Sequence, residues 1–214
     1  EMSEALFEIH RKMDERLGQL FPAQDPDLQA QLRRLRINEF LLPLFLGSNE
    51  SRQNDADLLR HAESLGVVEE NAASPRFCVL VSKFKSEDGV YIADARHAEF
   101  VGNIFHRHGL KTTGLVAYQR VITLVTLGGT GKSENLLELP LTEIVQTARR
   151  LQREHCTIGV SRDFCALSDC SDAYYQAVTA RRYTSDGAGD IRFIDDQEKN
   201  EEFAIDQAEK TAAM

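Results

Sequence analysis

From Arg76 to Phe84 the chain reads RFCVLVSKF, an almost continuous apolar run of β-forming residues. Both sets of alternating side chains in such a run are largely apolar, so a strand built from it buries both faces. It belongs in the middle of a sheet, and the rest of the chain must supply its neighbours and covers. The means are present: 42% of the 214 residues are hydrophobic, enough for a real core. The length suits one generous domain, or one domain with a smaller helical attachment.

The segments after this strand alternate. Residues 89–93 predict a short edge strand, and Ala95 to His108 a helix ending at Gly109. TTGLVAY and RVITLVTL are two strand-like runs with almost nothing between them, a hairpin signal. Leu141 to Glu154 predicts a helix with Ile144, Val145, Ala148 and Leu151 on one face. CTIGVS is a further strand, and Gly159 inside it predicts close approach of a neighbouring backbone, or a bulge. Ser171 to Tyr183 predicts a helix capped by Ser171 and Asp172. TSDGAGD is a turn using Gly187 and Gly189, IRFID a last strand, and Asp196 to Ala213 a charged helix. Strands alternating with helices around one hairpin predict an α+β fold, a mixed sheet flanked by helices.

Upstream of the strand the pattern is helical. Leu6, Ile9, Met13, Leu17 and Leu20 follow helical spacing over residues 4–20, with Ser3 as cap, in a narrow stripe like a coiled-coil seam. PAQDP breaks the chain, and a second helix starts with Asp25 as cap and Pro26 at its first position. It runs to about Leu46, with Pro43 expected to kink or end it. After the polar loop GSNESRQND, a third helix covers about 55–65 and is closed by Gly66. The organisation expected is a helical lead-in over 1–66, an α+β domain over 76–196 and a linker helix over 197–214.

Charge and cysteine content exclude several classes. With 25 Lys+Arg against 34 Asp+Glu the chain carries a net charge of -9, and an acidic surface repels phosphate backbones. Direct nucleic-acid binding is therefore not expected. Four Cys in this length make no disulfide scaffold: Cys78 and Cys156 lie in apolar strands, and Cys165 and Cys170 lack the spacing of a metal site. A reducing cytoplasm fits best. The longest apolar stretch, FLLPLFLG at 40–47, is far too short to span a membrane, and no signal peptide is expected.

Candidate chemical motifs reduce to structural ones. In LGGTGKSEN the residues Gly131, Lys132 and Ser133 resemble the end of a phosphate-binding loop, but Thr126 stands where the first Gly is needed. A Leu-rich segment is also expected between that loop and the next helix. His106 and His108 sit two apart at a helix end and point to different sides, and His97 is too distant to join them. SRDFCALSDCSD supplies caps rather than a nucleophile with its base. No catalytic set, metal site or cofactor is expected.

Three segments together are similar to a known pattern. FCVLVSKFK resembles the first strand of the GGDEF (diguanylate cyclase) fold, CTIGVSRDFCALSDCSDAYYQAVTARRYTSDGAGDIRFID resembles its closing strand–helix–strand, and residues 112–127 stand where its signature hairpin stands. Aligned on Phe84 and Lys85, the two metal-binding Asp positions fall on Leu80 and Ser82, and the hairpin reads AYQRVI without glycine or acid. Two-metal phosphoryl chemistry needs those carboxylates, so the resemblance implies a degenerate, non-catalytic domain. Such a domain is typical of the middle region of AraC-type transcriptional regulators, of response-regulator or membrane-anchored type. Their preceding segment is similar to EFLLPLFLGSNESRQNDADLLRHAESLGV, so the likeness covers about residues 36–196. Purine-catabolism-type regulators carry a related domain.

The resemblance implies a regulatory domain, working in the cytoplasm, that passes the input of an upstream receiver or membrane sensor to a C-terminal helix-turn-helix region not present here. The stripe on residues 4–20 would pair two chains into a homodimer. The alternative is a small-molecule or nucleotide receptor, with Lys85, Tyr118, Gln119 and Arg120 lining the old cleft and Arg120 as the anion partner. An active nucleotide cyclase is the third reading.

Overall fold

The computed structural model describes residues 26–47, 54–68, 75–128, 132–182 and 190–195. The expected helices over 4–20 and 196–213, and the turn at Gly187 and Gly189, lie outside them. By contacts the chain divides into residues 1–39 and 40–214. Of the first unit, residues 26–39 are helical and belong to helix α1, Pro26–Leu46.

Within the second unit, α1 continues through Pro43 to Leu46, so this proline lies inside the helix rather than ending it. Helix α2, Asp55–Ser64, starts at Asn54, whose side chain accepts from the Ala56 amide, and stops at Gly66 in the left-handed region. Strand β1, Arg76–Ser86, is followed by the short β2, Tyr91–Ile92, and by helix α3, Ala95–Arg107, which ends before Gly109 at φ 72°. Strands β3, Lys111–Ala117, and β4, Arg120–Leu127, form the expected hairpin. Helix α4 covers Ser133–Thr147 and closes in a π turn, Ala148–Gln152, with Arg153 left-handed at φ 54°. Strand β5, Glu154–Val160, a 3₁₀ turn at Leu167–Asp169, helix α5, Cys170–Arg182, and strand β6, Ile191–Phe193, complete the described elements.

Several boundaries differ from expectation: the helix expected to reach Glu154 ends in the π turn, where Leu151 is exposed while Ile144, Val145 and Ala148 are buried, and Glu154 already belongs to β5. Helix α4 begins at Ser133, not Leu141, so no separate Leu-rich segment intervenes after the loop. Pro140 lies mid-helix and buried; its missing N–H leaves the Leu136 carbonyl without that bond, while Leu137 and Leu141 are drawn into the core. Helix α5 begins at Cys170 after the 3₁₀ turn, which puts Ser171 and Asp172 within its first turn rather than at its cap.

The fold is α+β, with a mixed six-stranded sheet in the order β3-β4-β1-β5-β6. β1 is central, as its composition requires. It pairs antiparallel with β4 over Arg76–Ser82 and with β5 over Leu80–Ser86, and β2 takes over the β4 side at Phe84 and Lys85. The order β1-α3-β3-β4-α4-β5 is a double split β-α-β arrangement, to which α5 adds β6 parallel to β5.

Cys78, Leu80 and Phe84 of β1 join Val121 and Val125 of β4 and Cys156, Ile158 and Val160 of β5 in one buried cluster with residues of α3 and α4. Phe77, Val79 and Val81 alternate to the other face, where α5 packs over β1 and β5. Gly159, paired with Val81, makes the close approach its sequence position predicted: a Cβ there would lie 2.1 Å from the Ala177 carbonyl oxygen. The 3₁₀ turn is tied to α2, where Asp55 Oδ1 accepts from the Ser168 amide at 3.2 Å, and Phe45 meets Tyr174 at 6.2 Å between ring centroids. No helix among the described residues is long and apolar enough to cross a membrane.

Candidate functional site

The β3–β4 hairpin turns in two residues, Tyr118 and Gln119, between the paired Ala117 and Arg120. Both have positive φ, 52° and 56°, the geometry of a turn whose twist matches the strands and which normally carries Asn-Gly. Tyr118 is 64% exposed at the tip. The turn forces β4 to start at Arg120 and fixes which face each of its residues takes. Val121 faces the core under α3 and α4, so Arg120 faces the α5 side.

On that side Arg120 meets two further cations. The last β1–β4 pair is Ser82 with Val121, so Lys83 and Arg120 are the next residues facing each other across the strands. Arg181 arrives from the last turn of α5, its backbone pressed against Gly159. Arg120 donates from Nη1 to the Tyr174 hydroxyl at 3.4 Å, and Tyr174 is itself 5% exposed. Lys83 Nζ lies 3.5 Å from the ring centroid of Tyr91, on β2, and Lys85 Nζ lies 5.9 Å from the same ring.

This gathering has an electrostatic cost. The Lys83 ammonium is held below its ordinary pKa, first by burial and then by the Arg181 and Arg120 charges. Arg181 is pushed the same way by burial and by Arg120, against the favourable influence of Tyr91. The Nε atom of Arg120 is removed from solvent without a hydrogen-bond acceptor. Neither Lys83 nor Arg120 is paired with a carboxylate among the described residues. Such a site can hold an anion.

Of the four residues expected to line a cleft, Arg120 is at the centre of this cluster, Lys85 flanks it across Tyr91, and Tyr118 and Gln119 form the exposed tip beside it. Lys83, Arg181, Tyr91 and Tyr174 escaped the sequence reading. Lys83 left one signal, a lone charge inside an apolar strand.

The positions aligned with metal-binding acids lie elsewhere. Leu80 and Ser82 alternate to the opposite face of β1 and are fully buried beneath the helices. Among the described residues no three His, Cys, Asp or Glu side chains gather to hold a metal ion. The phosphate-loop candidate falls between β4, which ends at Leu127, and α4, which begins at Ser133, but Thr126 stands where its first glycine is needed and Lys132 makes no side-chain cap bond. His106 is exposed, and His108 Nε2 pairs with Glu143 at 2.7 Å.

A second polar cluster is structural. His97 is buried, with Nδ1 2.8 Å from Asp94 Oδ1, Nε2 3.1 Å from Glu154 Oε2, and its ring 4.7 Å from Phe84. It completes a capping box at the start of α3 and ties that helix to the start of β5. A scan against protein-family models finds no match to the chain, and a search of curated proteins finds none either.

Proposed function

We propose that this chain is a non-catalytic regulatory domain of the kind found in AraC-type transcriptional regulators, a degenerate GGDEF-like body that relays an upstream input to a DNA-reading region outside this chain. One observation carries the reading. The strand positions where the resemblance expects metal-binding acids hold Leu80 and Ser82, both buried, and the hairpin tip offers Tyr118, Gln119 and Arg120 in place of an acid. Neither place offers a cation a carboxylate, the strand positions lying on the α3–α4 face and Arg120 on the α5 face, so two-metal phosphoryl transfer lacks its ligands there. What such a scaffold retains is a rigid sheet between an input segment and an output segment.

Relay through a paired helix is the working mechanism: the stripe on residues 4–20 joins two chains, and the input alters their spacing. Analytical ultracentrifugation of the whole chain and of a chain lacking residues 1–22 tests the pairing. The whole chain sediments as a dimer and the shortened one as a monomer; full dimerisation of the shortened chain overturns the seam. Incubation with GTP and magnesium followed by chromatography tests the other half, and formation of a cyclic dinucleotide or release of pyrophosphate overturns the non-catalytic reading.

A further inference from the structure

We propose that Lys83, Arg120 and Arg181, gathered beside Tyr91 and Tyr174 on the α5 face of the sheet, form a binding site for a small phosphorylated ligand. The inference does not rest on the regulatory reading: a relay, a transport module or a storage protein with this site would bind the same anion.

Three arguments carry it. First, the cations come from three separate elements, β1, β4 and α5, and converge although the chain has nine more acids than bases with which to separate them. Like charges facing each other across paired strands are destabilising, and no carboxylate among the described residues pairs with Lys83 or Arg120 to offset that cost. Second, the donors are positioned. The Tyr174 hydroxyl, on a buried ring, holds one end of the Arg120 guanidinium while its Nε stays unpartnered, and the Tyr91 ring holds the Lys83 ammonium. Third, Lys83, Arg120 and Arg181 all remain partly exposed, so an anion can reach them from solvent.

The donor set selects the ligand. The remaining Arg120 N–H groups and the Lys83 ammonium, beside the Arg181 charge, suit several acceptor oxygens better than the two of a carboxylate, and a phosphate presents three or four in a tetrahedral array. The ligand is small, because the patch is local and the surrounding acidic surface repels a long polyanion. Tyr91, whose ring lies 3.5 Å from Lys83 Nζ, and Tyr118, two residues before Arg120 in the hairpin turn, are both exposed and are the rings available to an organic group attached to the phosphate.

The test is isothermal titration of the whole chain, at low ionic strength and with EDTA present, against orthophosphate, pyrophosphate and AMP. Saturable binding that weakens as salt is added is the expected result. Lys83→Gln and Arg120→Gln each lower the affinity by about tenfold or more, while Lys83→Arg retains it. Arg107→Gln also retains it, since Arg107 pairs with Glu143 on α3 and α4, away from the site. AMP bound more tightly than orthophosphate identifies a nucleotide or similar ester as the ligand, and equal affinity identifies the phosphate group alone. Far-UV circular dichroism checks that each variant folds, and the Lys83 variants, at a partly exposed position, carry the test if Arg120→Gln does not. Absence of millimolar binding by all three anions overturns the proposal, as does undiminished binding by both glutamine variants.

Discussion

Gly159 lies directly under Arg181: a Cβ added to the glycine would stand 2.4 Å from the Arg181 backbone nitrogen and 2.7 Å from its Cβ, as well as 2.1 Å from the Ala177 carbonyl oxygen. The obstructing atoms are mostly helix backbone, which cannot rotate away. The contact sets how close α5 comes to the sheet, and through it where the Arg181 side chain stands relative to Lys83 and Arg120.

Gly159→Ala therefore forces α5 off the sheet. The expected loss of stability is about 1–3 kcal/mol or more, the range for overpacking an interior that has no slack. Urea denaturation followed by circular dichroism measures it. Stability equal to that of the native chain would show that the helix shifts without cost.

The Asp94 carboxyl is held well below the usual carboxylate range, chiefly by hydrogen bonds from the Arg96 guanidinium and, after an opposing contribution from burial, by His97. A carboxyl whose folded pKa is depressed contributes stability above its unfolded pKa, near 4, and loses that contribution as pH falls toward the folded value. Glu143, lowered mainly by His108, acts in the same direction. The melting temperature of the native chain is expected to drop on acidification below about pH 4. Asp94→Asn melts lower at neutral pH and shows a shallower drop, which a pH series of thermal melts resolves. Parallel curves for the two proteins would remove Asp94 from the acid response.

Thiol chemistry separates one cysteine from three. Cys78, Cys156 and Cys170 are buried and Cys165 is exposed. Burial pushes the Cys170 thiol up to about 12 and raises Cys78 and Cys156 in the same direction. Titration of the native chain with a disulfide reagent is expected to modify one thiol quickly and the other three only after unfolding. Cys165→Ser removes the fast phase. A fast phase that persists in this variant would mean that a strand or helix cysteine opens readily to solvent.

These features differ in how openly the sequence announces them. β1 was legible because its apolar run leaves no face for solvent, and Gly159 because a glycine in such a strand needs a close neighbour. The start of α4 was not, because Pro140 looks like a boundary while the burial of Leu137 and Leu141 outweighs the one hydrogen bond it removes. The cationic site was half legible. Arg120 stood out at the hairpin, but Lys83 lies 37 positions before it and Arg181 lies 61 after, on different elements. Their meeting depends on the β1–β4 register and on the seating of α5, neither of which any local pattern encodes.

The hairpin tip offers the last prediction. Tyr118 and Gln119 both occupy left-handed backbone at positive φ, which costs an ordinary residue about 1 kcal/mol or more and a glycine little. Replacing the pair by Asn-Gly relieves that strain and is expected to raise stability by about 1–2 kcal/mol in urea denaturation. Arg120 keeps its place in the turn, so orthophosphate affinity is expected to stay unchanged, while the contribution of an organic group on the ligand falls with the loss of the Tyr118 ring. A more stable hairpin with selectively weakened AMP binding would identify the strained pair as residues held for contact with the ligand. Lower stability in the Asn-Gly variant would instead show that packing of the Tyr118 ring outweighs the backbone strain.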